Sequence, residues 1–135
     1  MKEIIVNKDN ILDSEVTDKN IIENYVFIND NKILLKNHHN SYYFVHEEDL
    51  SKKYKEEPFL VKKTYELDYP FIDDKTLLIK KFYLINEKID VNNANWINID
   101  SVISTLEDNM YNNPRVHDVT KEIIEVMEYL LTIIK

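Results

Sequence analysis

Glycine and cysteine are both absent from this 135-residue chain, and proline occurs only three times. At an average usage of about 7%, roughly nine or ten glycines would be present. Their absence excludes sites in which the backbone must approach a ligand without a Cβ in the way: a phosphate-cradling P-loop, a G-x-G-x-x-G dinucleotide turn and a G-x-S-x-G nucleophile elbow. Without cysteine there is no disulfide framework, no Cys-ligated zinc or iron–sulfur centre and no thiol nucleophile. Long apolar runs are missing too. No window approaches the roughly 18 apolar residues of a membrane span, and no basic start leads into an apolar stretch at the N-terminus, so the expectation is a cytoplasmic protein with no membrane partner.

Positive charge is also short: 17 Lys and Arg face 25 Asp and Glu, a formal charge of -8. Duplex nucleic acid is therefore not expected as a partner, because neutralising phosphates takes a clustered basic surface. The pairs Lys52-Lys53, Lys62-Lys63 and Lys80-Lys81 read as solvated charges, and on strands the last two would each expose one lysine. Heavy use of Asn, Ile, Lys and Tyr fits an A/T-rich genome, which weakens any single Asn or Lys as a functional signal.

What is present suffices for one domain over residues 1–135: 44% of residues are hydrophobic, with nine Tyr, five Phe and one Trp. Short strands rich in Ile, Val, Tyr and Phe are expected over Glu3–Val6, Ile21–Asn29, Lys32–Lys36 and Tyr42–Val45. Residues 1–20 form an N-terminal extension that can add a strand. Asn29-Asp30-Asn31 tolerates left-handed backbone and can close a hairpin, flanked by Ile28 and Ile33, without glycine. Asn37–Ser41, holding His38 and His39, reads as a polar loop.

Over His46–Glu57 the four-residue spacing of Leu50 and Tyr54, ended by Pro58, predicts a short helix. Phe59–Tyr69 and Lys75–Asn86 predict an antiparallel pair with Asp73-Asp74 at the turn, and Asn95–Ile99 a strand anchored by Trp96. Asp100 or Ser101 can cap a helix whose apolar face is Val102, Ile103, Leu106 and Met110. Asn113 and Pro114 open a second, amphipathic helix with Val116, Val119, Ile123, Val126, Met127, Leu130 and Ile134 on its apolar side. A mixed sheet followed by helices makes the expected class α+β.

Tyr25 to Lys36, Tyr42-Tyr43-Phe44, Leu60 to Glu87 and Asn95-Trp96-Ile97-Asn98-Ile99-Asp100-Ser101-Val102, in that order, resemble the Nudix fold, and within it the MutT-type nucleotide pyrophosphatases. The resemblance covers roughly Ile22 to the C-terminus. It implies a Nudix-like mixed sheet flanked by helices and, in an active member, Mg²⁺-dependent cleavage of a nucleoside diphosphate linkage. The family's box, G-x5-E-x7-R-E-U-x-E-E-x-G-U, is degenerate here. Tyr54, Glu56, Glu57 and Leu60 match its second half, while Lys53 replaces a glutamate and Phe59 a glycine. Phe44-Val45-His46-Glu47 stands in place of the apolar-Pro-Gly-Gly turn, and the loop between Glu47 and Lys52 is about nine residues short.

By the resemblance, Glu56 and Glu57 are the candidate catalytic and metal-binding residues. On a helix Lys53 would pair with either, lowering the charge available to Mg²⁺. Glu47, Glu48, Asp49 and Glu66 are further conceivable ligands. Asn113, placed like a purine-reading Asn of the family, and Phe82, able to stack a base, are candidate substrate-binding residues, against the plainer readings of helix cap and core. Tyr42, Phe44 and Trp96 carry the same alternative. His38, His39 and His46 could ligate a metal with Glu47 and Glu48, although adjacent side chains in extended backbone point apart. His117 reads as a surface residue. The resulting expectation is a catalytically impaired Nudix-type protein binding a nucleotide or a protein. The alternative is an acidic inhibitor of a basic partner protein, of the immunity or anti-defence kind, with no nucleotide role.

Overall fold

Short alternating runs in the first half and three-and-four spacing in the second dictate strands first and helices last, and the computed structural model, which describes residues 1–134, has that order. Its described elements are β1 (Lys2–Val6), β2 (Asp18–Asn29), β3 (Lys32–His38), β4 (Ser41–Tyr43), β5 (Val45–His46), β6 (Leu60–Leu67), β7 (Lys75–Ile85), β8 (Ala94–Asn98), α1 (Val102–Asn112) and α2 (His117–Ile133). The class is α+β, a mixed sheet with two C-terminal helices. The chain forms two compact units that interleave along the sequence, Met1–Asn24 with Tyr54–Tyr83, and Tyr25–Lys53 with the chain from Leu84 onward.

In the first unit, β1 runs parallel to β6, from Lys2 opposite Leu60 to Val6 opposite Thr64. β6 and β7 pair antiparallel from Leu60–Phe82 to Leu67–Lys75, with Asp73 and Asp74 in the connection as expected. Thr17 ties the start of β7 three times: its N–H and its hydroxyl donate to the Lys75 carbonyl at 2.9 and 3.2 Å, and its hydroxyl accepts from the Lys75 N–H at 2.9 Å. Val61, Leu77 and Ile79 form a small core on which Val16 and Tyr65 pack, while Leu60 and Phe82 are buried on the alternate pleat. Because both pleats bury apolar side chains, no lysine of this hairpin stands clear of the protein. Lys62, Lys63, Lys80 and Lys81 are all half-buried, and Lys62 lies directly across from Lys80, which corrects the expectation of one exposed lysine per pair. A half-buried lysine can cover apolar surface with its aliphatic stem while its charged head stays in water.

In the second unit, β3 pairs with three strands: β2 through Ile28–Ile33, β8 from Lys32–Asn98 to Lys36–Ala94, and β4 from Lys36–Tyr43 to His38–Ser41. Its Ile33, Leu34 and Leu35 are at most 1% exposed, the continuous apolar run of a strand covered on both faces. The β2–β3 reversal puts Asp30 at φ 52° and Asn31 at φ 56°, both left-handed, as a two-residue hairpin of matching twist requires. The expected polar loop at 37–41 is tighter than predicted. β3 continues to His38, and His39 (φ 50°) and Asn40 (φ 62°) turn the chain directly into β4. Asn93 at φ 59° makes the turn into β8, its carbonyl accepting the Asn37 N–H at 2.7 Å.

The helices pack on each other, burying Val102 and Leu106 of α1 and Ile123, Val126, Met127 and Leu130 of α2. Two helix details differ from the sequence reading. The buried face of α2 takes in Thr120 and Ile124, leaving Val119 and Ile134 at the helix ends 44% and 39% exposed. α1 is entered through a 3-10 turn, Ile99–Ser101, with no side-chain cap; Asp100 instead accepts a hydrogen bond from the Asn31 amide at 3.1 Å. No described helix is long and apolar enough to cross a membrane.

A β-branched side chain in left-handed backbone costs about 1–2 kcal/mol. Urea unfolding of Asp30→Val should show a loss of that size, whereas Asp30→Gly should leave stability equal or raise it.

Candidate functional site

The segment on which the Nudix-type site would be built is not a helix. After β5 the chain makes one 3-10 turn, Glu47–Asp49, and Leu50 then returns to extended backbone (φ -102°, ψ 143°); residues 50–59 have no regular structure. The physical reason is visible in the residues. Pro58 forces the residue before it away from helical backbone, only Leu50 and Tyr54 offer apolar anchors, and a free-standing helix of this length is marginal. Lys53, Glu56 and Glu57 are exposed in this segment, and the i+3 and i+4 spacing that would set them on one helical face has no helix to act through.

Asp49 has a structural role instead. It accepts a hydrogen bond from the His46 N–H at 2.9 Å and bonds of 3.1 and 2.9 Å from the Lys36 ammonium to its two oxygens. Partial burial works against the carboxylate, but the His46 N–H and the Lys36 charge outweigh it and hold its pKa below the ordinary value. One exposed ion pair, Lys52 Nζ to Glu87 Oε1 at 3.1 Å, anchors the chain just after this turn.

Among the described residues, no three His, Asp or Glu side chains converge as metal ligands do. Mg²⁺ takes several oxygen ligands at near-octahedral positions, so Glu56, Glu57, Glu47, Glu48, Asp49 and Glu66 do not form a donor set that fits it. Phe82 is 0% exposed, with no face open to a base, and Phe44 is 5% exposed. Tyr42 and Trp96 are half-buried, and the Trp96 indole Nε1 is buried without a hydrogen-bond partner. Asn113 is half-buried ahead of Pro114; its side chain caps nothing, and its carbonyl accepts the Val116 N–H at 3.1 Å. His38 and His39 do not point apart as extended neighbours would. The left-handed turn brings their exposed rings edge to face, centroids 4.0 Å apart.

Each unit carries an open cleft. In the first unit a cleft of ≈ 440 Å³ is lined by Asp13, Thr17, Lys63, Tyr65, Leu77 and Ile79 among others. In it the Tyr65 hydroxyl donates to Asp13 and Lys63 lies 3.5 Å from Glu3, while Asp18 and Lys19 add one charge of each sign to the lining. The bond to Asp13, with some desolvation and the nearby negative charges of Asp13 and Glu3, raises the Tyr65 pKa, so the phenol stays protonated and serves as a donor, not a base.

The larger cleft, ≈ 740 Å³, lies between α1 and α2 in the second unit. Met110, Tyr111 and Ile124 are its apolar lining, with Ile124 buried and Tyr111 87% exposed, and Glu107, Asp108, Glu125 and Glu128 line it too, with Lys121 and His117 as its basic side chains. The His117 ring nitrogen lies 3.6 Å from the Asp118 carboxylate. On α2 the lining residues 117, 121, 124 and 128 form a second stripe at three-and-four spacing, offset from the core stripe 120, 123, 127 and 130. Reading the helix for its core stripe alone misses this one. Its signal is an apolar Ile124 and an aromatic Tyr111 flanked by carboxylates one turn away. The arrangement joins apolar side chains to carboxylates of both helices.

The Asp49 pKa is depressed in the folded protein, so its contribution is present above the unfolded carboxylate value and is lost as pH falls through the folded one. Asp49→Asn should lower stability at pH 7 by about 1–2 kcal/mol and flatten the loss of stability below about pH 4, measured by urea unfolding across pH.

Searches for relatives leave the site to be read from its own residues: no protein-family model matches the chain, and no curated protein matches its sequence.

Proposed function

We propose that this protein is a non-catalytic binding protein that holds a basic, amphipathic segment of a partner protein in the α1–α2 cleft. The observation that carries this reading is the make-up of the cleft, where the apolar Met110, Tyr111 and Ile124 line the same space as the carboxylates Glu107, Asp108, Glu125 and Glu128. Apolar contact supplies affinity, while the carboxylates set the sign of the partner and speed encounter. The surrounding helices reinforce that sign, since α1 and α2 carry Glu107, Asp108, Asp118, Glu122, Glu125 and Glu128 against Lys121. In a chain of net charge -8, this is the surface that would occupy and block a basic region of another protein, as an inhibitor does.

Nucleotide binding by a Nudix-type protein is the second reading. It is supported by the succession of the β2–β3 hairpin, the β6–β7 pair, the Trp96-bearing β8 and α1, which is the order the resemblance calls for outside its box. It draws no support from residues 46–59, where its catalytic helix would lie.

A synthetic helical peptide with Leu on one face and Lys on the others, titrated calorimetrically, tests the first reading. Binding should weaken roughly tenfold between low and physiological salt, and a Glu125→Lys/Glu128→Lys double variant should lose roughly tenfold or more in affinity. Glu56→Gln should bind like the parent. Equal binding by parent and double variant would sink the reading. A thermal shift with ATP or GTP, together with Mg²⁺-dependent hydrolysis abolished by Glu56→Gln, would replace it with the second.

A further inference from the structure

The connection between β6 and β7 displays three large apolar side chains to solvent: Tyr69 is 91% exposed, Phe71 69% and Ile72 64%. Side chains of this kind at a loop tip usually fold back onto nearby apolar surface, and a contiguous exposed patch marks a contact site. Here the base of the loop is tied. The Asp68 N–H donates to the Asp74 carbonyl at 2.9 Å, the Asp74 N–H to the Phe71 carbonyl at 2.9 Å, and the Thr76 hydroxyl to the Asp68 carboxylate at 2.6 Å. Those bonds hold the tip as an outward turn at the end of a two-stranded ladder, so its display of Tyr69, Phe71 and Ile72 is a property of the fold.

Charge around the tip selects what can cover it. Glu66, Asp68, Asp73 and Asp74 flank the apolar residues along the chain, and the cation next to them in sequence, Lys75, lies 3.8 Å from Glu15. A second copy would bring one set of these carboxylates onto another in a chain of charge -8, and an anionic lipid surface would repel the same carboxylates. A protein pocket with an apolar interior and a basic rim matches both features at once.

We propose that the Tyr69–Ile72 tip is a plug that inserts into an apolar, basic-rimmed pocket of a partner protein. The inference uses only residues of the first unit and stands or falls independently of the α1–α2 cleft. Tyr69 and Phe71 enter the pocket as aromatic anchors, Ile72 fills the space beside them, and the carboxylates meet the cationic rim. Because the loop is held in its outward turn before contact, little ordering entropy is lost on insertion.

The test uses the full-length protein and a chemical stand-in for such a pocket, β-cyclodextrin carrying an amino group on each sugar of one rim, compared with unmodified and carboxylated β-cyclodextrin. Amide NMR shifts should change at residues 68–74 and little elsewhere, with affinity in the order amino, unmodified, carboxylated. Phe71→Ser/Ile72→Ser should weaken binding roughly tenfold or more while leaving the other amide shifts in place. Asp73→Lys/Asp74→Lys should keep binding to the unmodified ring and reverse the preference between the charged ones. The proposal is overturned if the tip amides do not respond, or if the serine variant binds like the parent. It is equally overturned if phosphatidylcholine–phosphatidylglycerol vesicles retain the parent but not the serine variant, or if sedimentation equilibrium shows a parent dimer that the serine variant loses.

Discussion

A chain without glycine must still reverse direction, and every left-handed residue in a reversal carries a Cβ. This constraint shapes the second unit around β3. The strand is entered through Asp30 and Asn31 and left through His39 and Asn40, four consecutive-pair positions with φ between 50° and 62°. Asn and Asp reach that region at lower cost than other residues because their short polar side chains bond locally. Asn31 adds the tertiary link, its amide donating to Asp100 while its carbonyl accepts the Ile99 N–H at 3.0 Å, so the turn into β3 also fixes the entry to α1. At the other end of β3, the Asn40 carbonyl accepts the Asn109 side-chain amide at 2.6 Å, tying the second turn to α1 as well. With both its turns fastened, β3 presents Ile33, Leu34 and Leu35 to the core in a single register.

The same constraint bears on function. Backbone that cradles phosphate has no Cβ at its closest approach, and none of the six positive-φ residues among those described is glycine. Recognition in such a protein falls to side chains on regular elements and to loops closed by side-chain hydrogen bonds. The two surfaces singled out above are of these two kinds. The α1–α2 cleft is made by two helical stripes, and the β6–β7 tip is closed by Asp68 and Thr76. Both join apolar side chains to carboxylates, in keeping with the excess of acidic over basic residues in the whole chain.

Strand positions, the left-handed turn at residues 30–31, the placement of Trp96 on β8 and the two terminal helices were legible because each depends on local chemistry: β-branched and aromatic runs, Asn and Asp at turns, and 3.6-residue spacing. The segment after β5 was misread for a definite reason. Leu50 and Tyr54 satisfy a helical spacing, yet two apolar residues bury too little to offset the ordering of the ten others over His46–Glu57, and Pro58 closes the possibility of extension. The carboxylates at 56 and 57 thereby lost the scaffold on which their spacing would have had chemical meaning. His38 and His39 show the converse. Their side chains meet because a left-handed turn falls between two strands, which alternation along a strand does not foresee.

Composition and local pattern by themselves determined the α+β class, the acidic character, the turn chemistry and the core stripes of the helices, since those follow from covalent geometry and from the period of each element. Tertiary structure decided which of the remaining groups stand together. It buried Phe82, gave Asp49 to Lys36, set Lys62 across from Lys80, and put Tyr111 of α1 and Ile124 of α2 on one cleft with four carboxylates. The physical reason is that a cleft or an ion pair is a relation between residues far apart in the chain, and only the packing of whole elements sets the distance between them.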